Sequence, residues 1–547
     1  MRYRFLRFFI LTLLLPAVFL TGCWVPYRTN LISQITPEPV AVIPLPEPED
    51  PGPIENPRLS RFTLRYETGF TMNPVIAINR DNIALTSLLY ESLFILDDDL
   101  TAVPLLCEDW FSEDNVTFFI NIMPGIEMHD GTQLTADDVA YSIRQAMNHQ
   151  RSRFRNKLRT IESVTSDGEL TVTITVDSPN ARFTRLLDMP IIKNGSMDLR
   201  IPPGTGPYIF PHDEAMMLNR FIGYRHFSEL PLSIIHLVEC SDSDLTRLFD
   251  SGELSLIWDD PGGAFDIRLN RSHEPRLYNT TAIQYLGFNT NSYALRNPDV
   301  RRAIGCAIDR QYIVDNIMNV PRTGQSVPSP VAISPVFDMY DPAWELRGDL
   351  LSEMGFLLER AGLQDYFSDS FLAMPDGAGG YRRFSLNFIV NIENSHKLAA
   401  ATLIADNLRQ FGFDVNIRLM QWSEFLSALD KGEFDMYYGE TMLGADFDFS
   451  PLLLPGEQNL NFGNTGNTAF RPYINSFLAA ETQDAVSFSG EQLNLQITQN
   501  APFVPILYKR YAIYSHMGVI TGASPSQSGV FNNFHEWTID LNAQLVN

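Results

Sequence analysis

The chain has 547 residues, 45% hydrophobic and 12% aromatic, with 65 acidic against 40 basic side chains and a formal net charge of −25. That apolar content over that length supports two or three globular lobes and argues against disorder. The surplus of carboxylates argues against nucleic acid, which needs a basic face; it suits either the solubility of an extracytoplasmic protein or a cationic solute.

The first element in chain order is an apolar run from Phe5 to Leu20, flanked by Arg2, Arg4 and Arg7. It is short for a bilayer span and has the charged and apolar regions of a signal peptide. Leu20-Thr21-Gly22-Cys23 follows directly and resembles the lipobox of bacterial lipoproteins. That resemblance implies removal of residues 1–22 and attachment of diacylglycerol to the Cys23 sulfur. Two or more acyl chains anchor a protein stably, since each buried methylene contributes about 0.8 kcal/mol. Residues 23–57 then carry prolines from Pro26 to Pro57 with acidic residues between the later ones. Such a segment is a semi-rigid spacer which, at about 3.1 Å per residue, reaches on the order of 100 Å. The folded body is expected from Arg58.

Beyond Cys23 only Cys107, Cys240 and Cys306 remain, with no C-x-x-C pair, so at most one disulfide forms and a zinc site on a cysteine cluster is excluded. No H-E-x-x-H or closely spaced histidine pair occurs, and no G-x-S-x-G elbow or acid pair points to hydrolysis. No catalytic residue, metal ligand or cofactor is expected.

Val116, Phe118, Ile120 and Ile122 alternate along a predicted strand, and Asp130-Gly131 supplies the turn that follows. The cluster of His129, Asp130, Asp137 and Asp138 has the residue mix of a metal or acid/base site. Capping explains it better: Thr135 is a good N-cap, Asp138 completes a capping box, and Asp137 sits where the helix dipole favours negative charge. Val139, Ile143 and Met147 form the buried stripe of that helix. Further on, Gly204-x-Gly206 is followed by Pro207, and Ile209 stands where a dinucleotide fingerprint needs its third glycine, so a tight turn before a strand is predicted. Pro298 and Asp299 open a helix with Val300, Ile304, Ile308 and Tyr312 on one face. A second helix ends near Gly412, and the strand "DVNIRLM" after it alternates Val415, Ile417 and Leu419.

The run "LYESLFILDDDLTAVPLLCEDWFSEDNVTFFINIMPGIEMHDGTQLTADDVAYSI" resembles the signature region of the extracellular solute-binding proteins of oligopeptide, dipeptide and nickel ABC importers. "GTGPY" (204–208), "YLGFNTNSYALRNPDVRRAIGCAIDRQYIV" (285–314), "LLERAGL" (357–363), "IADNLRQFGFDVNIRLMQWSEFLSALDKGEFDMYYGE" (404–440) and "APFVPILYKR" (501–510) resemble the same family in order. The resemblance implies an α/β, two-lobed periplasmic-binding-protein-like fold with a hinge and an extra subdomain on the first lobe. Lobe I would comprise residues 58–96, 201–289 and 502–547, the inserted subdomain 97–200, and lobe II 290–501, with the hinge in "YLGFNT" and near "FVPILY". It also implies ligand capture without catalysis and docking of the closed form on a permease, by a chain expected to be monomeric.

In peptide-binding relatives an aspartate after the "FDM" strand receives the peptide's α-ammonium. In the loop "YYGETMLGADFDFSPLLL" Asp446 is the closest match. The family's tryptophan at the end of that strand is replaced by Glu440 and the loop is about two residues longer, so Asp448 could take the role, or Glu440 could add a second carboxylate. Trp422 matches a position lining a side-chain pocket, although a tryptophan at a strand-to-helix junction also suits a core. Asn73 stands where relatives have an acidic residue, and no role is assigned to it. The same fold could hold a nickel chelate, haem or an oligosaccharide, or serve a peptide-sensing lipoprotein uncoupled from uptake.

Overall fold

The computed structural model describes residues 58–545 except 261–262, 264–266, 320–323, 325, 346–349, 457–459 and 464–467. The leader, Cys23 and the proline-rich segment lie outside the described residues.

The body opens with strand β1 (Thr63–Arg65) and helix α1 (Arg80–Leu89). Strands β2 (Cys107–Phe111), β3 (Thr117–Ile122), β4 (Ile161–Asp167) and β5 (Thr171–Val176) then form an antiparallel sheet in the order β2-β3-β5-β4. In β3 the expected alternation holds: Phe118, Ile120 and Ile122 are buried. Helix α2 (Ala136–Asn148) separates β3 from β4, and at its start the Asp138 carboxylate accepts from the Thr135 backbone N–H (2.9 Å) and hydroxyl (2.8 Å). Asp138, one of the three aspartates of the apparent acid/base cluster, is thus a capping group. Strands β6 (Tyr208–Ile209), β7 (Met217–Arg220) and β8 (Ile234–Val238) return the chain to β1 in the order β1-β8-β7-β6.

Two motifs distant in sequence meet here. The His129 ring accepts from the Gly204 N–H at Nδ1 (3.3 Å) and donates from Nε2 to the Gly206 carbonyl (3.1 Å), which selects the neutral tautomer. Burial pushes its pKa down to about 4. Gly204 and Gly206 are required by close approach: a Cβ on Gly206 would stand 2.4 Å from the Leu89 carbonyl carbon, at the end of α1.

The large sheet contains β9 (Leu256–Asp259), β10 (His273–Phe288), β11 (Ser326–Pro328), β12 (Ser385–Asn391), β13 (Asp414–Met420), β14 (Met436–Met442) and β15 (Phe503–His516). Its order is β9-β15-β10-β14-β12-β13, with β11 on β15. The parallel pairs are β12 with β13 and β12 with β14. β10 and β15 are the long members and pair with each other; the outer half of β15 also pairs with β9 and its inner half with β11, and the inner half of β10 pairs with β14. Their pairing is interrupted between Asn279 and Ile283 and between Gln284 and Tyr285, just before the predicted flexing segment.

Helices α3 (Pro298–Cys306), α4 (Ser395–Gln410), α5 (Trp422–Lys431) and α6 (Gln483–Asn500) accompany the inner half of the sheet. The predicted single helix through Tyr312 is broken at Cys306. Asp309 caps a new short helix, accepting from the Tyr312 N–H at 2.9 Å, and Tyr312 is 49% exposed rather than part of the buried face.

One apolar core joins side chains of residues 59–256 and 513–545. Two others lie mostly within 283–508 and take opposite faces of the inner sheet, with Leu286, Phe288 and Tyr438 in one and Ile283, Tyr285 and Tyr437 in the other. Leu96 and Leu100 join the latter. Cys107, Cys240 and Cys306 are free thiols, and burial pushes that of Cys107 up to about 12.

Candidate functional site

The candidate site is a cleft where the end of β14 and the loop after it face the segments flanking β4 and β5. One cavity, of about 260 Å³, is lined by Arg153, Lys157, Arg159, Asp188, Asp446 and Asp448 among others. It shares Arg153, Asp188, Met442, Gln527 and Ser528 with a second of about 270 Å³, walled by Trp258, Tyr278 and Tyr511. On its other side it shares Asn156, Arg159, Thr160, Asp448 and Pro451 with a third of about 420 Å³. The three form one elongated groove.

The local sequence explains how Asp446 gets there. After Met442 the Leu443 N–H bonds the Thr281 carbonyl (3.2 Å), keeping the chain against β10, and a turn closes from the Phe447 N–H to the Gly444 carbonyl (3.0 Å). A Cβ at Gly444 would sit 2.4 Å from Asp446 Oδ1, so glycine lets the carboxylate fold back. Phe447 adopts φ 58°, unusual for a bulky side chain, and is held by ring contacts with Phe337 and Phe449.

Asp446 is 2% exposed. Its carboxylate accepts from Asn180 Nδ2 (2.9 Å) and the Asp448 N–H (3.2 Å), and its backbone carbonyl accepts from Arg182 Nε (3.4 Å). Burial, then the neighbouring Asp448 charge, raise its pKa above the usual carboxylate value. Asp448 is ion-paired to Arg159 and accepts from the Ser450 N–H (2.8 Å), while Asp188 is paired with Lys157. Among the described residues, Asp446 has hydrogen bonds but no cationic partner within ion-pair distance. Burying a carboxylate without an ion pair is costly, and the cost is relieved by a proton or by a cation brought to the cavity.

The second cavity is aromatic. Trp258 donates from Nε1 to the Tyr278 hydroxyl (2.5 Å), and Tyr511 meets both rings edge-on at 5.5 and 6.1 Å.

Glu440 lies elsewhere. On β14, it accepts from Gln284 Nε2 (2.7 Å) and pairs with Lys397 (3.1 Å) and Lys509 (3.3 Å); Lys509, with no solvent-exposed side-chain surface, also pairs with Asp260. Burial would raise the Glu440 pKa, but Lys509 and Lys397 outweigh it and hold the carboxyl at about 2. Its charge is spent inside the protein. Trp422 opens α5, is 52% exposed, stacks on Phe425 (5.9 Å) and lines none of the three cavities. Asn73 is buried, donating to the Met197 carbonyl (2.7 Å). The structure therefore brings Asp446 and Asp448 together and leaves Glu440 and Trp422 outside the groove.

Sequence reasoning missed the cations and Asn180. The signal of the cations was legible: "QRSRFRNKLR", a basic run in an acidic chain. The aromatic wall had no local signal, since Trp258, Tyr278 and Tyr511 come from three strands.

Comparison with known proteins places these observations. The profile of the bacterial extracellular solute-binding proteins, family 5, matches residues 101–459. Heme-binding protein A of Haemophilus influenzae is 22% identical over 459 residues, 74% of this chain and 78% of that protein. The glutathione-binding protein GsiB of Salmonella typhi is 24% identical over 493 residues, 83% and 89% of the two chains. Among solved structures, the oligopeptide-binding protein AppA of Bacillus subtilis, in complex with a nonapeptide, superposes with a TM-score of 0.64 at 17% identity, covering 89% of this chain and all of that one. The fold is that of the two-lobed periplasmic binding proteins.

Proposed function

The chain belongs to the bacterial extracellular solute-binding proteins of family 5, the ligand-capturing components of ABC importers, and from that membership we propose that it captures short peptides between two lobes and delivers them to a membrane permease. The observation that carries the peptide reading is Asp446, a buried carboxylate with no ion pair among the described residues, part-way along an elongated groove. An α-ammonium supplies the missing charge, and a charge-assisted bond of that kind contributes about 1.5–3 kcal/mol. Three cavities in line suit an extended chain better than a compact solute. AppA, holding a nonapeptide, has the same fold.

Lobe I is residues 58–96, 201–289 and 502–547, with 97–200 inserted, and lobe II is 290–501. One apolar core gathers most of lobe I and its insertion and two others most of lobe II, with residues 283–288 and 503–508 of the long strands β10 and β15 packing on the lobe II side, so these strands run through both halves. The ligand favours closure only by its differential affinity for the closed form. The protein works as a monomer, binds without turnover, and is held at the outer face of the membrane by lipid on Cys23.

Native mass spectrometry of the body from Asn56, purified without refolding and then denatured to identify what is released, tests the reading. A set of masses matching short peptides supports it. A single non-peptide mass, such as haem, a metal chelate or an oligosaccharide, replaces peptide by that solute.

A further inference from the structure

Two single helical turns from distant parts of the chain, Phe227–Glu229 and Phe534–Glu536, pack against each other. In the first, the Glu229 N–H bonds the His226 carbonyl (3.0 Å), which puts these two side chains, three positions apart, on one face. In the second, the Glu536 N–H bonds the Asn533 carbonyl (2.8 Å), and Phe534 and Trp537 are buried in the apolar core on either side of His535, fixing its backbone. The two imidazoles meet face to face, their centres 4.2 Å apart and their planes 10° from parallel. His226 Nδ1 lies 3.3 Å from Glu229 Oε1, and a ring nitrogen of His535 completes a set whose ligand atoms all lie within 4.8 Å of one another, the one such group of three among the described residues. His535 Nδ1 is buried and has no hydrogen-bond partner among those residues. Glu229 pairs there with no lysine or arginine, and the neighbouring Arg225 is held by Glu91 (2.7 Å).

Two imidazoles and a carboxylate are a ligand set for a divalent ion of the zinc class. Around a tetrahedral ion with bonds of about 2.0–2.2 Å, neighbouring ligand atoms stand about 3.3–3.6 Å apart. His226 and Glu229 already have that separation, and the third ligand has at most roughly 1.5 Å to close. Stacked rings point their lone pairs side by side, so one ring must turn to share an ion. His226, whose side chain is 36% exposed against 13% for His535, has the room. We propose that His226, Glu229 and His535 bind one divalent transition-metal ion of the zinc class, with water in the remaining position, clamping the turn at Phe534–Glu536 onto residues 226–229. None of the three lines the groove. Tyr224, edge-on to both imidazoles, and Phe534 do line its aromatic cavity, so the ion braces that wall from behind, whichever solute the groove takes.

The test is calorimetric titration of zinc chloride into the full-length protein, purified in detergent and stripped with EDTA, for the wild type, His226→Gln, Glu229→Gln, His535→Gln and Asp446→Asn. Thermal unfolding in EDTA establishes that each variant is folded. The wild type is expected to bind one zinc ion per chain, each of the three site variants to lose on the order of 100-fold in affinity, and Asp446→Asn to bind zinc as the wild type does. Cobalt(II) in place of zinc should give the wild type the intense visible absorption of a tetrahedral ion and leave His535→Gln without it. Zinc should also raise the unfolding midpoint of the wild type and not that of His535→Gln, because an ion joining two distant segments binds only the folded chain. Unchanged zinc affinity in the three site variants overturns the proposal, and so does a wild type that binds no zinc. Zinc lost in Asp446→Asn but kept in His535→Gln places the ion in the groove and overturns it too.

Discussion

Asn180 Nδ2 stands 2.9 Å from Asp446 Oδ2, joining a residue at the end of the inserted sheet to one after β14, 266 positions later. This bond and the Asp448 N–H orient a carboxylate that has no ion pair among the described residues.

Asp446→Asn preserves the shape and removes the charge. It is expected to weaken binding of free peptides by about one to two orders of magnitude and to leave amino-acetylated peptides unaffected. Equal loss for both would remove the ammonium role. Because the Asp446 pKa is raised, wild-type affinity is expected to fall on acidification at a pH above the ordinary carboxylate range, and the variant should not show that step.

Lys509 is a buried ammonium between Asp260 and Glu440. Lys509→Met leaves two carboxylates buried together, so a destabilisation on the order of 3–5 kcal/mol is expected in denaturant unfolding. The triple variant with Asp260→Asn and Glu440→Gln should recover much of that loss. A single variant as stable as wild type would mean that water already solvates the cluster.

Gly206→Ala places a methyl group against the Leu89 backbone. Overpacking against main chain, which cannot rotate aside, is expected to cost roughly 1–3 kcal/mol or more. An unchanged unfolding midpoint would show that the turn can shift away from α1.

His129 has a pKa of about 4 in the folded protein against 6.5 for the free side chain. The unfolded chain therefore binds more protons between those values. The stability contributed by the neutral ring is complete above pH 6.5 and is lost as pH falls towards 4, amounting to about 3 kcal/mol. His129→Gln should flatten the loss of stability between pH 7 and 4 relative to wild type; parallel curves would assign the acid sensitivity to other groups.

Cys23→Ser is expected to release the protein from the membrane to the soluble fraction, measured by fractionation. Persistent membrane association would mean that the apolar segment is retained.

Much of the frame is written in local patterns. The β3 alternation, the Thr135/Asp138 cap, the stop at Gly412 and the turn at Gly204-x-Gly206 each follow from a few neighbouring residues, because period, capping and close packing are short-range properties. The capped helix also disposed of an apparent acid/base cluster. The break at Cys306 was harder to see, since the apolar spacing continues past it while Asp309 starts a new cap.

The site divides differently. The sequence by itself determined the fold class, the family and the Asp446 loop, where an ordered set of motifs carries the information. Only the tertiary structure decided which of the nearby acids line the groove. Glu440 and Asp446 are six residues apart, yet two lysines brought from distant parts of the chain, Lys397 and Lys509, pair with the first, while the second has hydrogen bonds from Asn180 and Asp448 and no ion pair among the described residues. Whether a charge is spent depends on neighbours brought together from distant parts of the chain, and no local pattern records them.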